Sequence, residues 1–231
     1  MPYSEQLNLV HVAIPKTGTS SVVAALRLLH KQHGGRLTLL GERVNEAFCR
    51  RHGLSPSDGT LPARAKHLSA EQLRIVLGER YEAALVFTFV RNPWARVVSR
   101  YRYDHISNKP SWARRWLQGR GRRTVHNLEF EEWVRKRERR FETRGGNRNQ
   151  VDKLTDSEGR LIVDFIGKLE SIQADFNRLC ERIGTPPVDI PHVNVTGSGK
   201  PYTAYYSDWS RDVVARLYQR DIETFGYTFG S

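Results

Sequence analysis

LNLVHVAIPKTGTSSVVAALRLLHKQ, residues 7–32, is the stretch that decides the fold. Its first eight residues are almost all apolar and have the length of one strand, which is typical of a strand buried on both faces of a parallel sheet. TSSVVAALRLLHKQ predicts a helix that begins near Thr19, where hydroxyl side chains suit an N-cap. Strand, short turn and helix together predict the start of an α/β fold.

The turn between this strand and this helix has the composition of an anion site. Residues 16–21, KTGTSS, hold one lysine, one glycine and four hydroxyl side chains. A helix N-terminus offers unpaired N–H groups, Gly18 lets the backbone bend closely around an anion, and Lys16 adds a full charge. The order differs from the nucleotide P-loop G-x-x-x-x-G-K-[ST], because the lysine precedes the only glycine. A different phosphate-binding turn and an ordinary capped turn both remain open.

A second stretch repeats this arrangement. AALVFTFV, residues 83–90, has the pattern of another buried strand, and Arg91 follows it. Pro93 suits the first turn of a helix. An apolar stripe on that helix consists of Trp94, Val97, Val98 and Tyr101. Ser99 stands eight residues after Arg91, a helical rise of about 12 Å that an arginine partly spans. Two anion turns in one sheet imply a ligand with two separated charged groups.

The remaining segments predict the fold class. RLIVDFIG, residues 160–167, has the pattern of a third strand, while residues 33–66 predict loop with short helical pieces. Further helices are predicted at 69–79, in NLEFEEWVRKRERRF, from 171 to a cap at Gly184, and over 207–227. Strands that alternate with helices predict a three-layer α/β/α fold with a central, mostly parallel sheet. One domain over 1–231 is expected.

The positive charge of the chain is concentrated in its middle. The 231 residues have a formal net charge of +12. Residues 91–148 contain 17 Lys and Arg against 6 Asp and Glu, whereas the rest of the chain is nearly balanced. This concentration of charge indicates a localised site for an anionic partner and not a surface that is basic throughout. The segment FEEWVRKRERRF also fits a solvated helix with charges of both signs. We predict a basic helical excursion at about 104–150.

Composition excludes several classes of protein. No run approaches the eighteen apolar residues of a membrane span, and the N-terminus has no signal-peptide pattern. The two cysteines, Cys49 and Cys180, give neither a disulfide framework nor metal-ligand spacing. We therefore expect a cytoplasmic protein without a metal, and the sequence indicates no oligomeric state.

The two anion turns resemble those of the PAPS-dependent sulfotransferases, where PAPS is 3′-phosphoadenosine 5′-phosphosulfate. IPKTGTSS is similar to the family's loop for the 5′-phosphosulfate, and FVRNPWARVVSRYRY to its 3′-phosphate motif. Later segments, among them RNRNQVD, PHVN and YYSDWSRDVVARLYQRDIETFGY, resemble the branch that includes the carbohydrate sulfotransferases. The likeness extends from about residue 8 to 229 and implies a P-loop-like nucleotide fold.

The resemblance implies roles for particular residues. The 5′-phosphosulfate would lie on Lys16, Thr17, Gly18, Thr19, Ser20 and Ser21. Lys16 would contact the oxygen that bridges sulfate and phosphate, where charge develops during transfer. Arg91 and Ser99 would bind the 3′-phosphate, and Lys200 in GSGKPYTAYY would reach it from a late loop. The product of the reaction would be 3′-phosphoadenosine 5′-phosphate (PAP), and no metal is implied.

The acceptor hydroxyl needs a base, and His67 is the best candidate among eight histidines. It stands in RAKHLSAEQLR after a possible short strand at 61–65, and resembles the K-x-H-L segment of family members with a catalytic histidine. Alternatively, His67 only caps the following helix. His11 fits a satisfied core residue. Candidates to face the acceptor are His105, His126, Arg148, Asn149 and Gln150, whereas His192 has no assigned task.

The leading hypothesis is a sulfotransferase that moves a sulfuryl group from PAPS to a hydroxyl of a carbohydrate, and the basic block would suit an acidic sugar chain. A small-molecule kinase is the enzymatic alternative, although the Walker order of residues is absent. A basic nucleic-acid-binding module is the non-enzymatic alternative. It is suggested by the positive charge and by the aromatic side chains of Trp112, Trp116 and Trp133. That module would leave both anion turns unexplained.

Overall fold

The computed structural model describes residues 2–4, 6–33, 38–39, 67–106, 129–144, 149–191 and 200–231. Within these ranges there are five strands and eight α-helices. The strands are β1 (Pro2–Ser4), β2 (Leu9–His11), β3 (Thr38–Leu39), β4 (Leu85–Val90) and β5 (Phe165–Lys168). The helices are α1 (Thr19–Gln32), α2 (Ala70–Leu77), α3 (Glu79–Ala83), α4 (Pro93–Ile106), α5 (Phe130–Arg144), α6 (Ile172–Arg182), α7 (Asp208–Leu217) and α8 (Gln219–Phe225).

The strands form one sheet in the order β3-β1-β2-β4-β5. Its centre, β2, β4 and β5, is parallel, with Val10 opposite Val86 and Thr88 opposite Ile166. On the other side of β2, β1 pairs antiparallel with both β2 and the edge strand β3. The predicted α/β class with a mostly parallel sheet is confirmed. The antiparallel edge was not predicted, because strands of two and three residues are too short to show a period.

Several element boundaries differ from the sequence prediction. The strand predicted over 7–14 is limited to Leu9–His11, although Val12 still donates its N–H to the carbonyl of Phe87 (2.8 Å). The strand predicted at 160–167 begins only at Phe165, because Leu161 forms a bridge with Thr155 instead. The last helix is two helices, interrupted at Tyr218.

The described chain divides into two compact units, which are considered separately. The first contains residues 1–91 and 149–195, and the second contains 92–148 and 196–231. In the first, α1 and α6 contribute apolar residues to a core with the sheet residues Phe87 and Phe89. In the second, the predicted stripe of α4 joins an aromatic core with α5 and α7, which includes Trp133. That one domain covers 1–231 with an excursion at about 104–150 remains a prediction.

His11 lies in the core of the first unit, as expected, and its ring stacks on Phe87 with centroids 4.8 Å apart. Its Nδ1 has no hydrogen-bond partner among the described residues, so the expected hydrogen-bond satisfaction is wrong. Burial lowers the pKa of His11 to about 3, and electrostatic repulsion from the N-terminus and from His67 lowers it in the same direction. The imidazole is therefore neutral at physiological pH, which removes most of the cost of its burial.

Candidate functional site

The turn between β2 and α1 has an unusual backbone. Lys16 has φ +73° and Gly18 has φ +78°, so both lie in the left-handed region. Lysine rarely adopts this conformation, and such strain persists only where the surroundings enforce it. A Cβ on Gly18 would lie 2.6 Å from Leu169 Cδ1, so a side chain there would have to displace the end of Leu169 in addition to adopting the positive φ. The turn therefore has a tight backbone shape, with Leu169 packed against it at Gly18.

Two of the predicted hydroxyl donors bond to the main chain of the turn. The hydroxyls of Thr17 and Thr19 both donate to the carbonyl of Ile14, at 3.0 and 2.9 Å, and Thr17 is buried. These two hydrogen bonds stabilise the turn. Because both hydroxyl protons are used within it, the geometry does not favour donation from Thr17 and Thr19 to an anion. Ser20 is exposed and Ser21 is half-buried.

The backbone of the turn supplies the donors that remain. Ser21 and Val22 donate their N–H groups to the carbonyl of Gly18. In contrast, the N–H groups of Gly18, Thr19 and Ser20 have no acceptor within the described ranges, and no side chain caps α1. Unpaired N–H groups at the start of a 14-residue helix are a favourable place for phosphate or sulfate.

Arg91 belongs to the same unit and lies near this turn. Its Nη1 is 3.4 Å from the carbonyl oxygen of Lys16, a long contact that nevertheless brings the guanidinium to the turn. The main chain of Arg91 bonds to the side-chain amide of Gln150. Gln150 is fully buried, so the prediction that it faces the acceptor is wrong.

His67 also lies at the carboxyl end of β2. Its Nδ1 is 3.0 Å from the carbonyl oxygen of Ala13, and Lys153 Nζ donates to the carbonyl of His67 at 2.7 Å. A carbonyl oxygen only accepts, so we assign the proton of a neutral His67 to Nδ1. Nε2 then has the lone pair that a base requires. The structure does not support the capping alternative, because Ser69 caps α2 in a reciprocal pair with Gln72.

The second unit contains Ser99 and Lys200. Ser99 is half-buried on α4, and Arg102 follows it on the same helix. Arg102 donates from Nη2 to the carbonyl of Lys200 at 2.9 Å and from Nε to the hydroxyl of Tyr205 at 3.2 Å. The Lys200 ammonium lies 4.9 Å from the centre of the Tyr205 ring. Arg102 thus ties the Lys200 segment to α4, a role that sequence reasoning missed.

Of the other candidate residues, Trp133 lies within the described part of the chain, and several others do not. Trp133 is buried in the aromatic core, so it does not present a ring to a nucleic-acid base. Outside the described residues lie Trp112, Trp116, His126, Arg148, His192, Cys49, the possible strand at 61–65 and residues 197–199 of the late loop. The same holds for the side chain of His105.

Two absences apply only to the described part of the chain. There, no helix has the length and apolar character needed to cross a membrane. In the same ranges, no three His, Cys, Asp or Glu side chains form a group suited to a metal ion.

Comparison with known proteins gives one match to a family and one to a relative. The family described as the sulfotransferase family matches residues 2–228, nearly the whole chain. An uncharacterized protein of Archaeoglobus fulgidus is 32% identical over 121 residues, which are 52% of this chain and 84% of that protein. No solved structure matches.

Proposed function

This chain belongs to the sulfotransferase family and is a transferase of sulfuryl groups, and we propose that its donor is PAPS and its acceptor a carbohydrate hydroxyl. The observation that supports this best is the arrangement at the carboxyl end of β2. Three groups approach it within one unit: the strained turn at Lys16, the guanidinium of Arg91 and the imidazole of His67. Such an edge is where open α/β sheets bind ligands.

In this proposal the turn binds the 5′-phosphosulfate. The N–H groups of Gly18, Thr19 and Ser20 and the ammonium of Lys16 face the oxygen atoms on which negative charge develops as the sulfur–oxygen bond breaks. Donors held in place before the reaction need no reorganisation, which is why they stabilise a transition state more than a ground state. The bonds from Thr17 and Thr19 to Ile14 support this role by fixing the turn.

His67 acts as the base. Its Nδ1–H bond to Ala13 orients the ring, and Nε2 accepts the proton of the acceptor hydroxyl. The hydroxyl oxygen then bonds to sulfur, the bond from sulfur to the bridging oxygen breaks, and the electron pair goes to the nucleotide phosphate. Lys16 neutralises that charge. In this proposal a base acts on the attacking hydroxyl and a cation acts on the leaving phosphate of the same displacement.

The proposal keeps Arg91, Ser99 and Lys200 as ligands of the 3′-phosphate on the strength of the sequence motifs. Arginine suits this role because its planar guanidinium donates two parallel hydrogen bonds to a phosphate. The bonds from Arg102 to Lys200 and Tyr205 support it, because they reduce the conformational freedom of the Lys200 segment.

An exposed basic stripe on α5 supports an acidic acceptor. It consists of Arg135, Lys136, Arg139 and Arg140. Arg135 lies over the Trp209 ring at 3.8 Å, and Lys136 pairs with Glu132 at 3.8 Å. Arg139 and Arg140 form no ion pair within the described residues. Like charges four residues apart destabilise a helix slightly, so an anionic polymer would relieve this repulsion.

Thermal unfolding tests the donor. At a PAP concentration of 100 times its Kd, the free energy of unfolding should rise by about 2.7 kcal/mol, which corresponds to about 5–10 °C in Tm for a chain of this size. ATP with Mg²⁺ should shift the Tm far less. A larger shift with ATP and Mg²⁺ than with PAP would favour the kinase and contradict the proposal.

Transfer of radiolabelled sulfate from PAPS to a set of polysaccharides tests the acceptor. Acidic polysaccharides should accept sulfate better than neutral ones, and R139Q/R140Q should raise KM for the acidic acceptor several-fold with little change in kcat. The affinity for PAP is the control and should stay the same. Equal use of acidic and neutral acceptors, or an unchanged KM, would remove the role of the stripe.

A further inference from the structure

Gln150 makes an unusual pair of bonds to the main chain of Arg91. Its Oε1 accepts the N–H of Arg91 at 2.9 Å, and its Nε2 donates to the carbonyl of Arg91 at 2.8 Å. The amide is fully buried. Both polar ends of one side chain are therefore used on a single residue, in the way that a neighbouring strand would pair with it.

Arg91 requires such a partner because of its place in the chain. β4 ends at Val90 and α4 begins at Pro93, so Arg91 belongs to neither element. Asn92 has a different task, since its Oδ1 accepts the N–H of Trp94 at 3.0 Å at the start of α4. Removing the Gln150 amide would take an acceptor from the Arg91 N–H and a donor from its carbonyl, which loosens the main chain at this residue.

We propose that Gln150 is a positioning residue that directs the Arg91 guanidinium at the 3′-phosphate of the nucleotide. This inference rests on the proposed function. The backbone sets the direction in which a long side chain leaves the main chain, and an arginine that binds a ligand loses conformational freedom in its main chain as well as in its side chain. Fixing the main chain of Arg91 before the ligand arrives removes the backbone part of that loss and directs the side chain to the Lys16 turn, whose carbonyl its guanidinium approaches.

The neighbouring residues of Gln150 point to the same function. Three residues later, Lys153 donates to the carbonyl of His67, the proposed base. One short segment therefore bonds to the main chain of two proposed site residues. Both contacts join positions that are far apart in sequence, 59 residues for Gln150 and 86 for Lys153.

Gln173 provides a matched control in the same unit. Its Oε1 accepts the N–H of Ile190 at 2.8 Å and its Nε2 donates to the carbonyl of Val188 at 3.1 Å. Gln173 is therefore also a glutamine whose amide bonds to main-chain groups, but Val188 and Ile190 have no cationic side chains. Comparing Gln150→Met with Gln173→Met separates loss of stability from loss of positioning.

The experiment measures the affinities of PAP and of adenosine 5′-monophosphate (AMP), which differ only in the 3′-phosphate, by calorimetric titration. We expect Gln150→Met to weaken PAP about tenfold and AMP less than twofold, a loss within the range of coupled neighbours. Gln173→Met should change neither affinity, even if its Tm falls as much. In an Arg91→Ala background, Gln150→Met should have no further effect on PAP.

Each outcome decides the inference. If the wild-type chain does not prefer PAP to AMP, the proposed function and this inference both fail. If Arg91→Ala removes the preference for PAP over AMP but Gln150→Met keeps it, only this inference fails. It also fails if Gln150→Met weakens PAP and AMP by the same factor. Should Gln150→Met not fold, Gln150→Asn gives the same readout, because it keeps an amide but is one methylene too short to hold both main-chain bonds at these distances.

Discussion

Replacing Lys16 by methionine is expected to lower kcat by about 10²–10³-fold, the loss seen when one preplaced donor is removed from a site of charge development. Methionine keeps much of the length of lysine but has no charge. Both residues meet the same backbone requirement at φ +73°. The loss should therefore come from the missing ammonium at the leaving phosphate and not from a changed turn.

Steady-state kinetics for kcat and KM, single-turnover kinetics for the transfer step and the affinity for PAP check this expectation. KM for the acceptor should change little, because Lys16 acts on the leaving group. Lys16→Arg is the charge-retaining control and should recover part of the rate, since a guanidinium is less compact than an ammonium. A kcat within threefold of the wild-type value for Lys16→Met would contradict the assignment of Lys16 to the leaving oxygen.

The fold was predictable because its signals are local. Buried strands of four to eight apolar residues and a 3.6-residue period need no long-range information, and the residues of α4 with that period enter the aromatic core. The cap of α2 at Ser69 was predictable for the same reason, because a capping box lies within four residues of sequence.

The internal geometry of the site was not predictable in the same way. A threonine in such a turn has a hydroxyl that could donate a hydrogen bond to an anion. Whether that hydroxyl donates to a ligand or to the carbonyl of Ile14 depends on the backbone conformation. The partnership of Gln150 with Arg91 spans 59 residues and leaves no local pattern. The orientation of His67 likewise follows from a bond to Ala13, 54 residues earlier. Sequence identified the residue types, and the fold decided their partners.

Replacing His67 by alanine is expected to lower kcat by about 10²–10⁴-fold, the usual contribution of a positioned base. Nε2 is the atom that accepts the proton, and the variant has no replacement for it. The affinity for PAP should stay within twofold of the wild-type value, because His67 acts on the acceptor. Steady-state kinetics and calorimetric titration of PAP on the same preparation check both expectations.

His67→Asn separates the base from its structural bond. An asparagine amide can still donate to the carbonyl of Ala13, as Nδ1 of His67 does at 3.0 Å, but it has no basic nitrogen. This variant should therefore keep the wild-type Tm and lose as much kcat as His67→Ala. If His67→Asn retained the wild-type rate, the proton would go elsewhere, and His67 would only connect its segment to the end of β2.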